Sequence, residues 1–282
     1  MNNIFKCPKC KKTFTLPSCD CGYTASCANR IYQLTSDPYM VKDDSAEVKY
    51  IGYEDIGEAY SGGAGFTLKL VDDKFDRIAK VIGGGTLLDL ACGDGLYTVP
   101  LLKRGVKIIA MDISDKMLSL LYRRAENANA DASNLIVCRA NALDIPLADN
   151  TVDFVIANSM LHLISRPEIV VNEVYRVLKT GGGYITFDDK PNTSGVNKNK
   201  TLSEQEKADN KENDEMSGFI HGRYFQILKD EYNILGKRYS WNFNREKVCD
   251  DLFGGKETIL IPIENKMQYI TPALKYRKQH DA

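Results

Sequence analysis

Two clusters of residues in the sequence could do chemistry, and the first lies near the N-terminus. Cys7 and Cys10 are separated by two residues in CPKC, and Cys19 and Cys21 are separated by one residue in CDCG. Four thiolates in paired spacing favour a closed tetrahedral zinc site of structural type. Cys27 lies close by and could replace one ligand of the second pair. Unrelated free thiols are the alternative, whereas the spacing matches none of the common iron–sulfur patterns.

The second cluster surrounds a glycine-rich turn. The segment LLDLACGDG places Asp89 near the end of an apolar run, four residues before Gly93 and six before Gly95. Glycines allow a backbone to turn sharply and to approach a ligand closely. The next apolar run ends in Asp112, where a carboxylate can accept hydrogen bonds from both hydroxyls of an adenosine ribose. The two segments together predict a nucleoside-binding site.

A glycine turn followed by an acidic residue also describes a nicotinamide dinucleotide site. That fingerprint has a third glycine at the helix start, where the helix N-terminus meets a pyrophosphate. Leu96, Tyr97 and Thr98 occupy this region instead. Asp89 suits a cationic ammonium group and disfavours a pyrophosphate, so the residues favour S-adenosyl-L-methionine as the cofactor. The alternative without a ligand is a tight strand–helix connection in which Asp112 caps a helix.

The elements that must position these residues alternate along the chain. Helical segments separate short apolar runs, and this alternation predicts parallel strands joined by right-handed crossovers in a doubly wound α/β sheet. The apolar runs cover residues 86–91, 106–113, 134–140, 152–159 and 182–189, followed by two closing strands at 257–264 and 267–274.

Helix boundaries are marked by residues with known preferences. Apolar residues recur at helical spacing from Gly65, and the glycines at 83–85 end that helix. Ser114 can cap the next long helical segment, and Pro167 can open a later one. The glycines at 181–183 are predicted to end the helix that Pro167 opens.

The composition limits the size and setting of the fold. With 282 residues, of which 43% are hydrophobic, the chain can bury one large core and one small satellite domain. No run approaches the roughly 18 apolar residues of a membrane helix, and the polar start lacks the apolar run of a signal peptide. We therefore expect a soluble, cytoplasmic protein without a membrane partner. A net charge of −1 excludes a global positive field for nucleic acid.

Four motifs in chain order resemble the class I S-adenosylmethionine-dependent methyltransferases, in particular the group that includes the ubiquinone and menaquinone biosynthesis methyltransferases. They are LLDLACGDG, IIAMDIS, NALDIPLADNTVDFVIANSMLHLI and EVYRVLKTGGGYI, within about residues 50 to 190. The resemblance implies a Rossmann-like methyltransferase fold, a mostly parallel sheet with an antiparallel last strand. It also implies an enzyme that transfers a methyl group from S-adenosyl-L-methionine.

The resemblance further implies a role for each candidate residue. The glycine turn would line the methionine moiety, and Asp112 would bind the ribose. Asn141 and Ala142 would line the adenine edge. Asn158 would lie beneath the sulfonium, and Tyr60 would belong to a lid over the cofactor. The complete set of candidate cofactor residues is Asp89, Ala91, Gly93, Gly95, Asp112, Ile113, Asn141, Ala142, Asn158 and Tyr60.

The methyl acceptor stays open at this level. The cofactor brings its own leaving group, so no base is required, and His162 is a catalytic candidate only for a hydroxyl acceptor, with a structural role as the alternative. The N-terminal cysteines before a methyltransferase resemble the bacterial ribosomal RNA guanine methyltransferases, whose zinc ribbon helps to hold RNA. Residues 1–30 carry four more positive than negative side chains. We expect a small-molecule or RNA acceptor; the alternative is a non-catalytic scaffold that retains the fold and recruits a partner through its ribbon.

We divide the chain into five parts. Residues 1–34 form the zinc-ribbon module, 35–64 the linker and cofactor lid, and 65–190 the S-adenosylmethionine-binding core. Residues 191–217 form a charged loop or lid, and 218–282 hold the acceptor-side region with the closing strands. Aromatic residues of the last part would wall an acceptor pocket for a planar or apolar molecule, namely Tyr224, Phe225, Tyr239, Trp241 and Phe243.

Overall fold

The computed structural model describes residues 3–35, 72–158, 160–161, 167–187, 252–253, 256–258 and 274–277. The strands are β1 (Phe5–Lys6), β2 (Thr13–Phe14), β3 (Ser26–Ala28), β4 (Ile31–Gln33), β5 (Thr86–Leu90), β6 (Lys107–Asp112), β7 (Leu135–Arg139), β8 (Val152–Asn158), β9 (Leu178–Phe187), β10 (Lys256–Thr258) and β11 (Leu274–Arg277). The helices are α1 (Asp72–Ile82), α2 (Thr98–Leu102), α3 (Asp115–Asn127) and α4 (Pro167–Val177), with a 3₁₀ turn at Ala132–Asn134.

Nine of these strands form one sheet, in the order β10-β11-β9-β8-β5-β6-β7-β4-β3. The six strands from β9 to β4 are parallel, and β11 runs antiparallel to β9. The predicted doubly wound sheet and its antiparallel last strand are therefore confirmed. The chain extends the sheet from β5 toward β7 and then returns to add β8 on the other side of β5. Ligands of such sheets bind at the carboxyl ends of the strands, where the strand order reverses.

The predicted helix boundaries are confirmed at three of four places. The helix α1 ends at Ile82, and the amide of Gly83, in a left-handed conformation, bonds to the carbonyl of Ala79 at 2.9 Å. The Ser114 hydroxyl caps α3 by accepting from the amide of Met117 at 3.1 Å. Pro167 is the first residue of α4. Within the described parts of the chain, each helix is too short or too polar to cross a lipid bilayer.

The glycines at 181–183 do not end α4, which corrects the fourth prediction. The helix stops at Val177, and β9 begins at Leu178, opposite Val152 of β8. The pairing then jumps to Phe154 opposite Gly183, so the intervening residues of β9 form a bulge. A side chain at Gly182 would lie 2.8 Å from the carbonyl oxygen of Asp153. Gly182 is thus required inside a strand, because the bulge brings two backbones too close for a Cβ atom, whereas Gly181 has a left-handed φ of +78°.

The N-terminal segment extends the large sheet. Its strand β4 pairs in parallel with β7, with Ile31 opposite Val137, and the hairpin strand β3 forms the edge of the sheet in the described residues. Buried Phe5, Phe14 and Leu34 join the same apolar cluster as Leu88 of β5. The segment that we assigned to a small satellite module therefore shares its packing with the main fold.

Candidate functional site

The glycine turn lies at the switch point of the sheet. The strands β5 and β6 are parallel, with Leu90 opposite Met111, so their carboxyl ends meet at one edge. The turn after β5 begins at Ala91, which has a φ of +54°, and continues through Gly93 at +55° and Gly95 at +83°. Left-handed conformations at three alternating positions fold the chain back within one short loop. This loop is the floor of the candidate cofactor site.

Asp112 fixes the turn to the end of β6. One carboxylate oxygen accepts from the amide of Gly93 at 2.9 Å, and the other accepts from the amide of Ser114 at 3.0 Å. The residue is buried, with 8% of its surface exposed. An ionised carboxylate oxygen can accept more than one hydrogen bond. Asp112 is therefore in a position to hold the turn and to accept from ribose hydroxyls.

Asp89 lies beneath the turn and is 2% exposed. Burial raises the pKa of its carboxyl to about 7, although a hydrogen bond from the Thr98 hydroxyl at 2.5 Å opposes the shift; the negative charge of Asp112 raises it further. A cationic ligand beside Asp89 would reverse the shift, because an opposite charge favours the ionised form. The arrangement suits the ammonium group of the proposed cofactor.

A buried ion pair that sequence reasoning missed holds the outer side of the turn. The guanidinium of Arg124, on α3, bonds to the carboxylate of Asp94, and its Nε atom donates to the Asp94 carbonyl oxygen at 3.0 Å. Asp94 is 1% exposed. The signal was available in part, because Arg124 follows Met117 and Leu121 on the apolar stripe of α3, where a charge must find a buried partner.

The glycines of the turn also allow close packing against α3. A Cβ atom at Gly95 would lie 2.9 Å from Cγ of Leu121, and one at Gly93 would lie 3.3 Å from Cε of Met117. A Cβ atom at Gly95 could be accommodated only if the buried side chain of Leu121 moved. The turn is thus shaped both for a ligand on one side and for a helix on the other.

The adenine-side candidates lie next to this edge. The amide of Ala140 donates to the carbonyl of Asp112 at 2.9 Å, which brings the loop after β7 to the end of β6. In that loop the side-chain oxygen of Asn141 accepts from the amide of Leu143 at 2.9 Å, and Ala142 is half-buried. The carbonyl oxygen of Ile113 accepts from Nε of Arg139 at 2.9 Å.

The structure does not place every predicted residue. Asn158 ends β8 opposite Phe187, on the other side of β5 from Asp112, and is half-buried. Tyr60 and His162 lie outside the described residues, as do the aromatic residues predicted to wall the acceptor pocket. The predicted linker and lid at 35–64 lies outside them from residue 36 onward, and the predicted lid at 191–217 lies outside them as well.

The four N-terminal cysteines converge. The sulfur atoms of Cys7, Cys10, Cys19 and Cys21 all lie within 4.8 Å of one another. The Cys7–Cys21 distance is 3.5 Å and the Cys10–Cys19 distance is 3.7 Å. Tetrahedral zinc with Zn–S bonds of about 2.3 Å requires sulfur atoms roughly 3.8 Å apart. The donor set and its spacing therefore fit a zinc ion.

Backbone groups prepare the cluster for a cation. Burial raises the pKa of the Cys7 thiol, but hydrogen bonds from the amides of Cys10 and Lys9 and from the Cys21 thiol outweigh this effect and lower it to about 7. In the same cluster a backbone hydrogen bond from Cys21 lowers the pKa of Cys19, but burial and the other three thiols outweigh it and raise the pKa to about 12. A metal ligand must be a thiolate, so Cys7 ionises most readily and a cation is needed to ionise Cys19 near neutral pH. Cys27 lies exposed on β3 and is not part of the cluster, which decides the ligand set in favour of the second pair.

Comparisons with known proteins agree with this geometry. Residues 88–186 match the profile of a family described as a methyltransferase domain. An uncharacterised chloroplastic methyltransferase of Arabidopsis thaliana is 28% identical over 194 residues, which cover 64% of this chain and 53% of that protein. A demethylmenaquinone methyltransferase of Symbiobacterium thermophilum is 35% identical over 109 residues, covering 37% of this chain and 43% of that protein.

Two further similarities cover more of the related chain. The ubiquinone/menaquinone biosynthesis C-methyltransferase of Roseobacter denitrificans is 29% identical over 53% of this chain and 69% of its own length. A crystal structure from Methanococcus maripaludis, described as that of an S-adenosyl-L-methionine-dependent methyltransferase, is 17% identical, with a TM-score of 0.49 over 79% of this chain and 94% of that one. The chain spans about half or less of the length of most of the curated relatives that it matches.

Proposed function

We propose, from the premise that the chain contains a class I S-adenosylmethionine-dependent methyltransferase domain, that it transfers a methyl group from this cofactor to a small-molecule or RNA acceptor. The observation that carries the proposal is the pair of buried carboxylates, Asp89 and Asp112, on either side of a glycine turn at the switch point. Asp112 suits ribose hydroxyls, and Asp89 suits a cationic ammonium group and disfavours a pyrophosphate.

The residues of the turn have separate tasks in this proposal. When bound, S-adenosylmethionine supplies a methyl group activated by its positively charged sulfur. Asp112 would orient the ribose, and Asp89 would neutralise the ammonium group. Arg124 braces the turn through Asp94 and so keeps both carboxylates in place. The protein then needs to align the acceptor and to exclude water, tasks that require no general base.

Zinc at the cysteine cluster has a structural task in the same proposal. The ion would bind Cys7, Cys10, Cys19 and Cys21, and it would supply folding free energy to a segment that has few large apolar side chains. It would take no part in methyl transfer, because four thiolates leave no open position for a substrate.

The relatives support a small acceptor. Five of the relatives that match this chain are named for methylation of demethylmenaquinone or for quinone biosynthesis. The first of these matches spans only 37% of this chain, so it leaves much of the chain without a counterpart. We therefore place an aromatic or quinone-like small molecule first among the acceptor classes to be assayed.

RNA is the second acceptor class, and the charge of the cysteine segment favours it. Lys9, Lys11 and Lys12 are exposed around the first cysteine pair, and Arg30 is exposed at the hairpin turn. If these side chains hold RNA, binding should weaken steeply with salt, by roughly one power of salt concentration for each phosphate contact. A salt-independent affinity would contradict an RNA acceptor.

Calorimetric titration with S-adenosylhomocysteine, the product of methyl transfer, tests the proposal. We expect micromolar binding to the wild-type protein and about 100-fold weaker binding to Asp112→Ala, because two charge-assisted hydrogen bonds are lost. Zinc content is measured on the same samples, so that a loss of fold is recognised. No binding to folded, zinc-loaded protein would favour the alternative of a non-catalytic scaffold.

A further inference from the structure

We propose that Gln33 is a positioning residue for the adenosine half of the cofactor site, through which metal binding at the cysteine cluster and cofactor binding favour each other. The inference rests on the proposed function. In the proposed function zinc stabilises only its own segment. Here the cysteine segment also helps to hold the cofactor site.

Gln33 connects the end of the cysteine segment to the ribose and adenine edge. Its side-chain amide donates to Asp115 at 2.8 Å, and its side-chain oxygen lies 3.4 Å from a guanidinium nitrogen of Arg139. Arg139 in turn donates to the carbonyl of Ile113 at 2.9 Å and pairs with the Asp115 carboxylate at 3.2 Å. Ile113 directly follows Asp112. Gln33 therefore contacts Arg139, which holds the backbone beside the ribose carboxylate, and Asp115, which pairs with Arg139.

The same glutamine is tied to the cysteine cluster. The Tyr23 hydroxyl donates to the carbonyl of Gln33 at 3.4 Å, and Tyr23 is two residues from the ligand Cys21. The Tyr23 ring packs edge-on against Phe14 with ring centroids 5.8 Å apart. The Phe14 contact limits movement of the Tyr23 ring, and the Tyr23 hydroxyl would transmit movement of the second cysteine pair to the backbone of Gln33.

A second connection runs through the first cysteine pair to the adenine-side loop. The amide of Lys6 donates to the carbonyl of Pro146 at 3.1 Å, and the amide of Ala148 donates to the carbonyl of Ile4 at 2.8 Å. Cys7 directly follows Lys6. The C-terminal end of the loop that begins with Asn141 is therefore hydrogen-bonded to the segment that directly precedes Cys7.

Arg176 of α4 holds the opposite side of this loop. Its guanidinium donates to the carbonyls of Leu147 and Ile145 at 2.7 and 2.8 Å. The loop is thus fixed from two directions, by α4 and by β1. If the cysteine segment loosens without metal, one of these two supports is lost, and the adenine edge loses its fixed position.

Linkage makes the proposal quantitative. If metal binding orders the cysteine segment and the segment orders the adenosine half, the two ligands must raise each other's affinity by the same factor. We expect a factor of about 5 to 10, equal to the loss of one or two hydrogen bonds that hold the site.

Two titrations on the full-length chain test this. Zinc affinity is measured by competition with a chelating indicator, with and without S-adenosylhomocysteine, and S-adenosylhomocysteine affinity is measured calorimetrically on zinc-loaded protein. We expect the wild-type protein to bind zinc about 5 to 10 times more tightly when S-adenosylhomocysteine is present. Gln33→Met, which keeps the length of the side chain, should bind S-adenosylhomocysteine about 5 to 10 times more weakly. It should lose part of the effect on zinc, because the connection through Ile4 and Lys6 is unchanged.

Ser26→Ala is the matched control. Ser26 lies directly opposite Gln33 in the hairpin, is exposed, and should leave both affinities unchanged. Equal zinc affinities with and without S-adenosylhomocysteine in the wild-type protein would overturn the inference, as would unchanged S-adenosylhomocysteine affinity in a zinc-loaded Gln33→Met variant. If the wild-type zinc-loaded protein binds no S-adenosylhomocysteine at all, the proposed function fails instead.

Discussion

The glycine turn and the cysteine cluster are both built to receive a ligand, but they keep their shape by different means. Within the described residues, the turn is held by the chain itself, through the bonds of Asp112 to Gly93 and of Arg124 to Asp94. The cysteine cluster brings four sulfur atoms within 4.8 Å of one another. Four thiolates at this distance repel each other unless a cation lies between them.

The difference indicates how each site depends on its ligand. A site held by buried ion pairs and packing exists before the ligand arrives, so binding loses little free energy to ordering. A site held by the ligand itself couples binding to folding. We therefore expect zinc loss to change the protein's structure, whereas cofactor loss should leave the glycine turn in place.

The largest expected effect comes from removing one of the four cysteines of the cluster. Cys10→Ser removes one ligand, so bound zinc should fall from about one per chain to near zero, and Tm should fall by roughly 10 °C. Atomic absorption and thermal denaturation measure the two changes. Cys27→Ser is the control, because Cys27 is exposed outside the cluster. Zinc lost from Cys27→Ser and kept by Cys10→Ser would show that the ligand set is wrong.

The next effect tests the packing that holds the turn. Gly95→Ala should lower the free energy of unfolding by about 2–4 kcal/mol, because it adds a strained φ to a clash with Leu121. Gly105→Ala is the matched control, since Gly105 has a φ of +77° but a Cβ added there would meet no atom within 4 Å. It should cost only about 1 kcal/mol. Urea denaturation that gives equal costs would contradict tight packing of the turn against α3.

A smaller effect concerns the charge of Asp89. Its pKa in the folded protein, about 7, lies above the ordinary value of 3.8, so the folded state holds an extra proton between these pH values. The contribution of Asp89 to stability is therefore largest at low pH and declines as pH rises toward 7. A cofactor ammonium needs the ionised form, so S-adenosylhomocysteine affinity should rise about tenfold from pH 6 to pH 8.

The control for this pH dependence is Asp89→Asn, which has no titrating carboxyl at this position. Its affinity should be lower and should not change across the same pH range, apart from effects of other groups that the wild-type protein shares. Calorimetry in buffers of different ionisation enthalpy should detect proton release on binding below pH 7 in the wild-type protein alone. An affinity that falls with rising pH would mean that Asp89 does not face the ammonium group.

The smallest expected effect concerns the backbone conformation of Ala91 in the turn. Ala91 has a φ of +54°, a conformation that costs an alanine about 1 kcal/mol relative to glycine. Removing this strain with Ala91→Gly should raise the free energy of unfolding. The gain should be roughly 0.5–1 kcal/mol, because the greater entropy of glycine in the unfolded chain offsets part of it. A clear loss of stability in urea denaturation would indicate that the apolar contacts of the Ala91 methyl group outweigh its backbone strain.

The sequence predicted the elements whose signals are local. The apolar runs identified β5 to β9, and the residues around the glycine turn identified Asp89 and Asp112, because strand patterns and turn chemistry depend on neighbouring residues. The cysteine spacing predicted a cluster of four thiols, and their sulfur atoms converge in the structure. The signal for each of these features depends on residues only a few positions apart in the sequence.

Features that depend on distant partners were not predictable in this way. The strand β4, with the sequence IYQ, has no apolar run, and only its neighbour β7 makes it part of the sheet. The partner of Arg124 lies 30 residues away in sequence, at Asp94. The bulge in β9 likewise depends on the backbone of β8. The sequence shows the polar residue or short segment that takes part in such a pair. It does not show which distant residue or strand is the partner.

Amide hydrogen exchange on zinc-loaded protein, with and without S-adenosylhomocysteine, would show whether the cofactor binds at the glycine turn. The account predicts added protection in three segments, the turn at 91–95, the end of β6 at 112–114 and the start of the loop at 141–143. It also predicts that the turn is already partly protected without ligand. Protection confined to other segments, or none at a saturating concentration, would contradict a cofactor site built on Asp89 and Asp112.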